Sequence, residues 1–139
     1  MKFKFNHFWR DGHCNLGVMS KGKVLVTGGA GFIGSHTVVE LVAAGYAPVI
    51  VDNLVNSDRK VLEGIASLAG EAVPFYAVDC TDESGLRAVV EGEGPFMGAI
   101  HFAAFKAVGE SVERPTAYFR NNIGSTAVLL DVLTEQGVN

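Results

Sequence analysis

The stretch "VLVTGGAGFIGSHT", residues 24–37, decides the fold. Its opening run of Val, Leu and Val, ending at Thr27, suits a strand buried on both faces of a sheet. Glycines follow at positions 28, 29, 31 and 34, which satisfies GxGxxG and also the wider GxxGxxG spacing. Ile33, Thr37 and Leu41 then fall at helical spacing, with Val38 and Val42 beside them, and Gly45 supplies a stop. In a strand–turn–helix of this kind the first glycine permits the sharp turn. The middle one lets backbone approach a pyrophosphate, and the last lets the helix pack closely on the strand. The unpaired N–H groups of the first helical turn lie at the positive end of the helix dipole and suit an anion. The competing reading is a plain tight turn with no ligand, so the rest of the chain must choose.

"APVIVD", residues 47–52, reads as a second buried strand and places Asp52 about twenty residues beyond the turn. An acid there accepts hydrogen bonds from the ribose hydroxyls of an adenosine and repels a 2′-phosphate, which points to NAD rather than NADP. Arg59, the nearest cation, comes several residues later. Ser57 is placed to N-cap a helix carrying Val61, Leu62, Ile65 and Leu68, closed by Gly70. "AVPFYAVD" (72–79) is the third strand, expected at an edge because of Pro74. Asp79 at its end would contact adenine or cap the short helix expected over 82–91. "GAIHFAA" (98–104) is the fourth strand. Pro115 opens a long helix to about Gln136, with Phe119, Ile123, Leu130 and Leu133 on one face and Gly137 after it.

This alternation of strands and helices predicts an α/β fold of βαβ units: a Rossmann-type, doubly wound parallel sheet. It ends after the fourth strand and its following helix, which leaves that strand as an edge.

Composition narrows the function. A chain of 139 residues, 48% hydrophobic, is long enough for one buried core. A net charge of −4 without a lysine or arginine cluster gives no nucleic-acid surface. Apolar runs broken by Glu40, Gly45 or Pro48 give no membrane span. Cys14 and Cys80 form no CxxC spacing, so reduced thiols are expected, and the N-terminus has no continuous apolar segment of the secretory kind. A cytoplasmic protein is the expectation. Residues 1–19 differ from the rest, with Lys2, Lys4 and Arg10 against Asp11, and with Phe3, Phe5, Phe8 and Trp9. His7, His13 and Cys14 lack a metal-ligand spacing. Residues 1–21 are expected to lie outside the fold, with translation starting at Met19, and residues 22–139 to form a partial NAD-binding domain.

Beyond spacing, "VLVTGGAGFIGSHT", "VDNLVNS", "IHFAAFKAVGESV", "RPTAYFRNN" and "STAVLLDVL" are similar to successive signatures of the UDP-glucose 4-epimerase family, within the extended short-chain dehydrogenases/reductases. The resemblance runs over roughly residues 22–139. "FKAVGESV" and "DNLVNS" are more specific to it than the glycine pattern. It implies a tightly held NAD that takes a hydride from C4 of a UDP-hexose and returns it to the other face of a 4-keto sugar. Gly28, Gly31, Phe32, Ile33 and Gly34 would line the pyrophosphate. Asp52, Asn53, Asn56 and Ser57 would hold the adenosine ribose and nearby phosphate. Asp79 and Cys80 would lie against adenine, Phe102, Ala103, Ala104 and Lys106 along the far side of the cofactor, and Asn121 near the nicotinamide. A homodimeric parent protein is implied as well.

Plainer roles compete at some of these positions. Phe102 and Ala103 read equally as strand-end core, and Lys106 with Glu110 as a surface pair four residues apart. His101 reads as a hydrogen-bonded core histidine and not a catalyst. Gly124-Ser125 stands where the family usually has glycine at the second position, and Ala104 where glycine is frequent.

The resemblance also implies a Tyr-x-x-x-Lys pair and a serine beyond a fifth strand, in which the lysine and NAD lower the tyrosine's pKa so that it acts as base. Here Tyr46, Tyr76 and Tyr118 are followed four residues later by Ile50, Cys80 and Asn122. No catalytic residue is therefore assigned, and the chain is expected to hold NAD without epimerising alone. Another nucleotide-sugar epimerase or dehydratase, or a non-catalytic dinucleotide-binding module, are the alternatives.

Overall fold

A computed structural model describes residues 20–138. The expectations for residues 1–19, including the start at Met19 and the metal question at His7, His13 and Cys14, lie outside the described residues. The elements run β1 (Lys23–Thr27), α1 (Phe32–Ala43), β2 (Ala47–Val51), α2 (Lys60–Ala69), β3 (Phe75–Tyr76), α3 (Glu83–Glu93), β4 (Phe96–His101), α4 (Val108–Glu113) and α5 (Pro115–Glu135).

The four strands make one parallel sheet in the order β3-β2-β1-β4, as the alternation predicts. Period-two alternation sorts their side chains between two cores. Val24, Val26 and Ile50 point to one face, where they pack with Val38 of α1 and Ile65 of α2. Leu25, Val49 and Val51 point to the other, with Leu86, Val89 and Val90 of α3 and Leu129, Val132 and Leu133 of α5. Burial on both faces is why these strands read as unbroken apolar runs. Three helix stops fall where expected: Gly45, Gly70 and Gly137 all have φ between +73° and +87°.

Four expectations need correction. The third strand shrinks from eight residues to Phe75–Tyr76. Pro74 has no N–H for the ladder, and the Val78 N–H turns back onto the Tyr76 carbonyl at 3.0 Å, which takes the chain out of register. It is nonetheless the edge strand foreseen from Pro74. The fourth strand stops at His101 and not at 104, since the chain leaves the ladder after the Phe102 N–H bonds the Thr27 carbonyl at 2.9 Å. Ser57 does not cap α2. Its hydroxyl donates to Asp52 Oδ1 at 2.9 Å, and Asp58 Oδ1 instead accepts the Lys60 N–H at 2.9 Å.

The fourth correction concerns α5. Phe119, Ile123 and Leu130 are 65, 57 and 59% exposed, and of the predicted face only Leu133 is buried. Apolar residues stand all round this 21-residue helix, so the pattern does not select a face. Docking selects it: Tyr118, Ser125, Leu129 and Val132 turn inward. Arg87 joins the choice by bridging Glu83 on its own helix and Glu135 on α5.

The helix α4 has no counterpart among the expected elements. Glu110 within it pairs with Arg114 at 3.1 Å and accepts the Tyr118 hydroxyl at 2.9 Å. The surface pair with Lys106 does not form; Lys106 joins no ion pair among the described residues.

Candidate functional site

Strand order reverses between β1 and β4, and in open α/β sheets the crevice beyond the carboxyl ends of such a pair is where ligands sit. A cavity of about 240 Å³ opens there. All sixteen residues singled out from the sequence line it: Gly28, Gly31, Phe32, Ile33, Gly34, Asp52, Asn53, Asn56, Ser57, Asp79, Cys80, Phe102, Ala103, Ala104, Lys106 and Asn121.

The near bank is built from backbone. Gly28 has φ +68°, and a Cβ on it would come within 2.6 Å of the Ala103 nitrogen. A Cβ at Gly34 would stand 2.2 Å from the Gly28 carbonyl oxygen. Those two glycines serve chain-on-chain packing. Gly31 differs, because its Cβ would meet only the Gly28 carbonyl oxygen, at 3.1 Å, and is otherwise open. The turn thus divides its labour as the sequence suggests: sharp turn, open approach, close helix packing. No side chain caps α1, so the N–H groups of its first turn, at Phe32, Ile33 and Gly34, have no partner within the helix and belong to cavity-lining residues.

Asp52 ties this bank together. Its carboxylate, 8% exposed, accepts the Ala30 N–H at 3.1 Å, the Leu54 N–H at 2.8 Å and the Ser57 hydroxyl at 2.9 Å. The bond to Leu54 holds that residue at φ +59°, an uncommon conformation for a side chain of its size. Arg59 turns away and lies over the Phe75 ring at 5.7 Å. Asn53 donates to Asp79 Oδ2 at 2.8 Å and closes the end of the cavity. Hydrogen bonds from Thr81, ahead of a smaller contribution from Asn53, keep the Asp79 carboxyl below the usual range. Asp82, not Asp79, caps α3, accepting the Gly85 N–H at 3.1 Å. Burial pushes the Cys80 thiol up to about 11, so it is protonated and inert.

The far bank is a loop, residues 102–106, and it is held by a side chain. Asn122 Oδ1 accepts the Phe105 N–H at 2.8 Å while its amide donates to the Phe105 carbonyl at 2.9 Å. Asn121 in turn donates to Asn122 Oδ1 at 2.9 Å. Val78, Phe105 and Ser125 also line the cavity, and the sequence assigns none of them, nor Asn122, to the site. The one signal for it was two consecutive asparagines, 121 and 122, in a largely apolar helix.

A doubly wound sheet with a glycine turn, an open helix N-terminus and an acid after β2 defines a domain of the dinucleotide-binding class. The chain belongs to the NAD dependent epimerase/dehydratase family, which matches residues 24–139. It is 47% identical over 116 residues to UDP-glucose 4-epimerase of Dictyostelium discoideum, which covers 84% of this chain and 33% of that one. It is 52% identical over 110 residues to the Yersinia pestis UDP-glucose 4-epimerase, covering 79% and 32%. Among solved structures, UDP-glucose-4-epimerase from Stenotrophomonas maltophila, with bound NAD and formylated UDP-arabinopyranose, superposes with a TM-score of 0.81 at 43% identity. That match covers 85% of this chain and 35% of the other. The Bifidobacterium longum enzyme, in complex with NAD+ and UDP, gives 0.80 at 46%, covering 84% and 34%. The chain spans about a third of the length of the curated relatives it matches. No helix among the described residues is long and apolar enough to cross a membrane.

Proposed function

We propose that residues 22–139 form an NAD-binding domain and that the protein it serves is a UDP-glucose 4-epimerase. One observation carries the cofactor: Gly31 leaves open the approach to an uncapped helix N-terminus, beside the Asp52 carboxylate that accepts the Ala30 N–H. The cavity fits the group. Gly28, Gly31, Phe32, Ile33 and Gly34 would hold the pyrophosphate, and Asp52, Asn53, Asn56 and Ser57 the adenosine ribose and nearby phosphate. Asp79 and Cys80 would face adenine, with Phe102, Ala103, Ala104, Lys106 and Asn121 along the remainder. NAD, when bound, supplies a reversible hydride acceptor. The residues here bind and orient it: backbone N–H groups and a helix dipole meet negative charge, and the acid repels a 2′-phosphate.

The substrate of the whole protein is proposed to be a UDP-hexose, since the relatives above bear that chemistry in their names. No tyrosine in these 139 residues has a lysine four positions on, so the proton transfer is assigned to none of them. A homodimeric whole protein is proposed from the family resemblance alone, in a cytoplasmic setting. Calorimetric titration with NAD tests the cofactor. Heat at one site per chain is expected, with binding weakened at least about tenfold in Asp52→Ala, the loss of one charge-assisted hydrogen bond or more. No heat from the unaltered chain overturns the reading.

A further inference from the structure

Beneath the cavity a line of polar side chains crosses from the sheet to α5. Thr27 Oγ1, fully buried at the end of β1, lies 2.6 Å from His101 Nδ1 at the end of β4. His101 Nε2 lies 3.5 Å from the Oγ of Ser125, which is 2% exposed on α5. Ser125 reaches the Asn122 carbonyl at 3.4 Å.

The donors in this line have one consistent direction. A carbonyl only accepts, so the Ser125 hydroxyl donates to that of Asn122. Its oxygen is then left to accept from His101 Nε2–H, so the Thr27 hydroxyl donates to Nδ1. A neutral ring that accepts at Nδ1 carries its proton on Nε2 and donates to Ser125 Oγ, whose own proton then goes to the Asn122 carbonyl. Burial favours the neutral ring.

We propose that His101 is a positioning residue of this site: held as the neutral Nε2–H tautomer between Thr27 and Ser125, it docks α5 against the β1–β4 crevice. It thereby sets where Asn122 holds Phe105 and the far bank of the cavity. His101 itself is not among the lining residues, and it acts on the cavity through α5. Only the last of the following measurements rests on the NAD reading.

The 139-residue chain labelled with ¹⁵N-histidine, studied by long-range ¹H–¹⁵N correlation at pH 7, is expected to show the His101 proton on Nε2 alone. A proton on Nδ1, or on both nitrogens, overturns the proposal without any variant needing to fold. Thr27→Val is expected to move the ring toward the Nδ1–H form, and an unmoved tautomer counts against the assigned direction. Hydrogen exchange of the Phe105 amide should quicken about fivefold or more in His101→Phe, with the Ile50 amide unchanged, as suits loss of one net hydrogen bond or more. His101→Gln, which keeps a donor and an acceptor, should recover part of that protection. Equal Phe105 exchange in all three proteins removes the positioning role. Finally, NAD affinity should fall several-fold in His101→Phe. If the unaltered chain binds no NAD, the cofactor reading fails, while the tautomer and exchange results still decide His101.

Discussion

The two banks of the cavity are made of different material. The near bank is backbone: a glycine turn in which a Cβ at residue 34 would lie 2.2 Å from a carbonyl oxygen, fastened to a buried Asp52. The far bank is a loop whose position depends on one asparagine amide and, beneath it, on a histidine between two hydroxyls. A backbone-built wall announces itself in sequence, because only glycine fits and because the acid must follow at a set distance. A wall held by side chains from a distant helix does not. The difference also sets how each bank fails: the near one through steric conflict, the far one through loosening.

The largest effect expected is at the near bank. Gly34→Ala forces a methyl group into the Gly28 carbonyl and should cost about 3 kcal/mol or more. Thermal unfolding would show this as a drop on the order of 10 °C, and an unchanged midpoint would break the contrast. Asp52→Ala comes next. Two backbone N–H groups and the Ser57 hydroxyl lose their acceptor, so stability should fall by about 2 kcal/mol in urea titrations.

The far bank should respond more mildly. Asn122→Ala removes both bonds to Phe105, and we expect about 1–2 kcal/mol, with faster proteolysis confined to residues 102–106. A loss as large as that of Gly34→Ala would mean that the banks do not differ in kind. Acid probes the same bank through His101. Burial lowers its folded value below 6.5, so the unfolded chain takes up the proton first. The resulting stability is complete above 6.5 and is lost as pH falls from there through the lower folded value. The difference between urea midpoints at pH 7.5 and 5.5 should therefore be larger in the unaltered chain than in His101→Phe. Smallest of all is Leu54→Gly. Relief of its left-handed backbone, about 1 kcal/mol, is nearly offset by the added freedom of glycine in the unfolded chain, so the midpoint should hardly move.

These contrasts explain what was legible beforehand. All sixteen candidate residues lie around one cavity because a parallel sheet brings every strand's carboxyl end to the same edge. Once β1, β2 and β4 were recognised, the residues after them had to meet. Ser57 resembles a helix cap in sequence because serine accepts and donates equally well, and sequence does not show that Asp52 claims its proton. The third strand is shorter than its sequence suggests because Val, Phe and Tyr favour extended backbone whether or not a ladder partner is in reach. The inward face of α5 is not legible in sequence because Phe119, Ile123 and Leu130 are as apolar as the residues that do pack.

By itself, then, the sequence determined the order of strands and helices, the glycine turn and the acid that follows it. Each depends on local constraints: a φ only glycine adopts readily, a side-chain period, a fixed spacing along one βαβ unit. Only the tertiary structure decided which side of α5 is covered, that Asn122 grips Phe105, and that His101 stands between Thr27 and Ser125. Those choices join residues 17, 74 and 24 positions apart in the chain. Side-chain hydrogen bonds over such separations exist only once the sheet has brought their partners together.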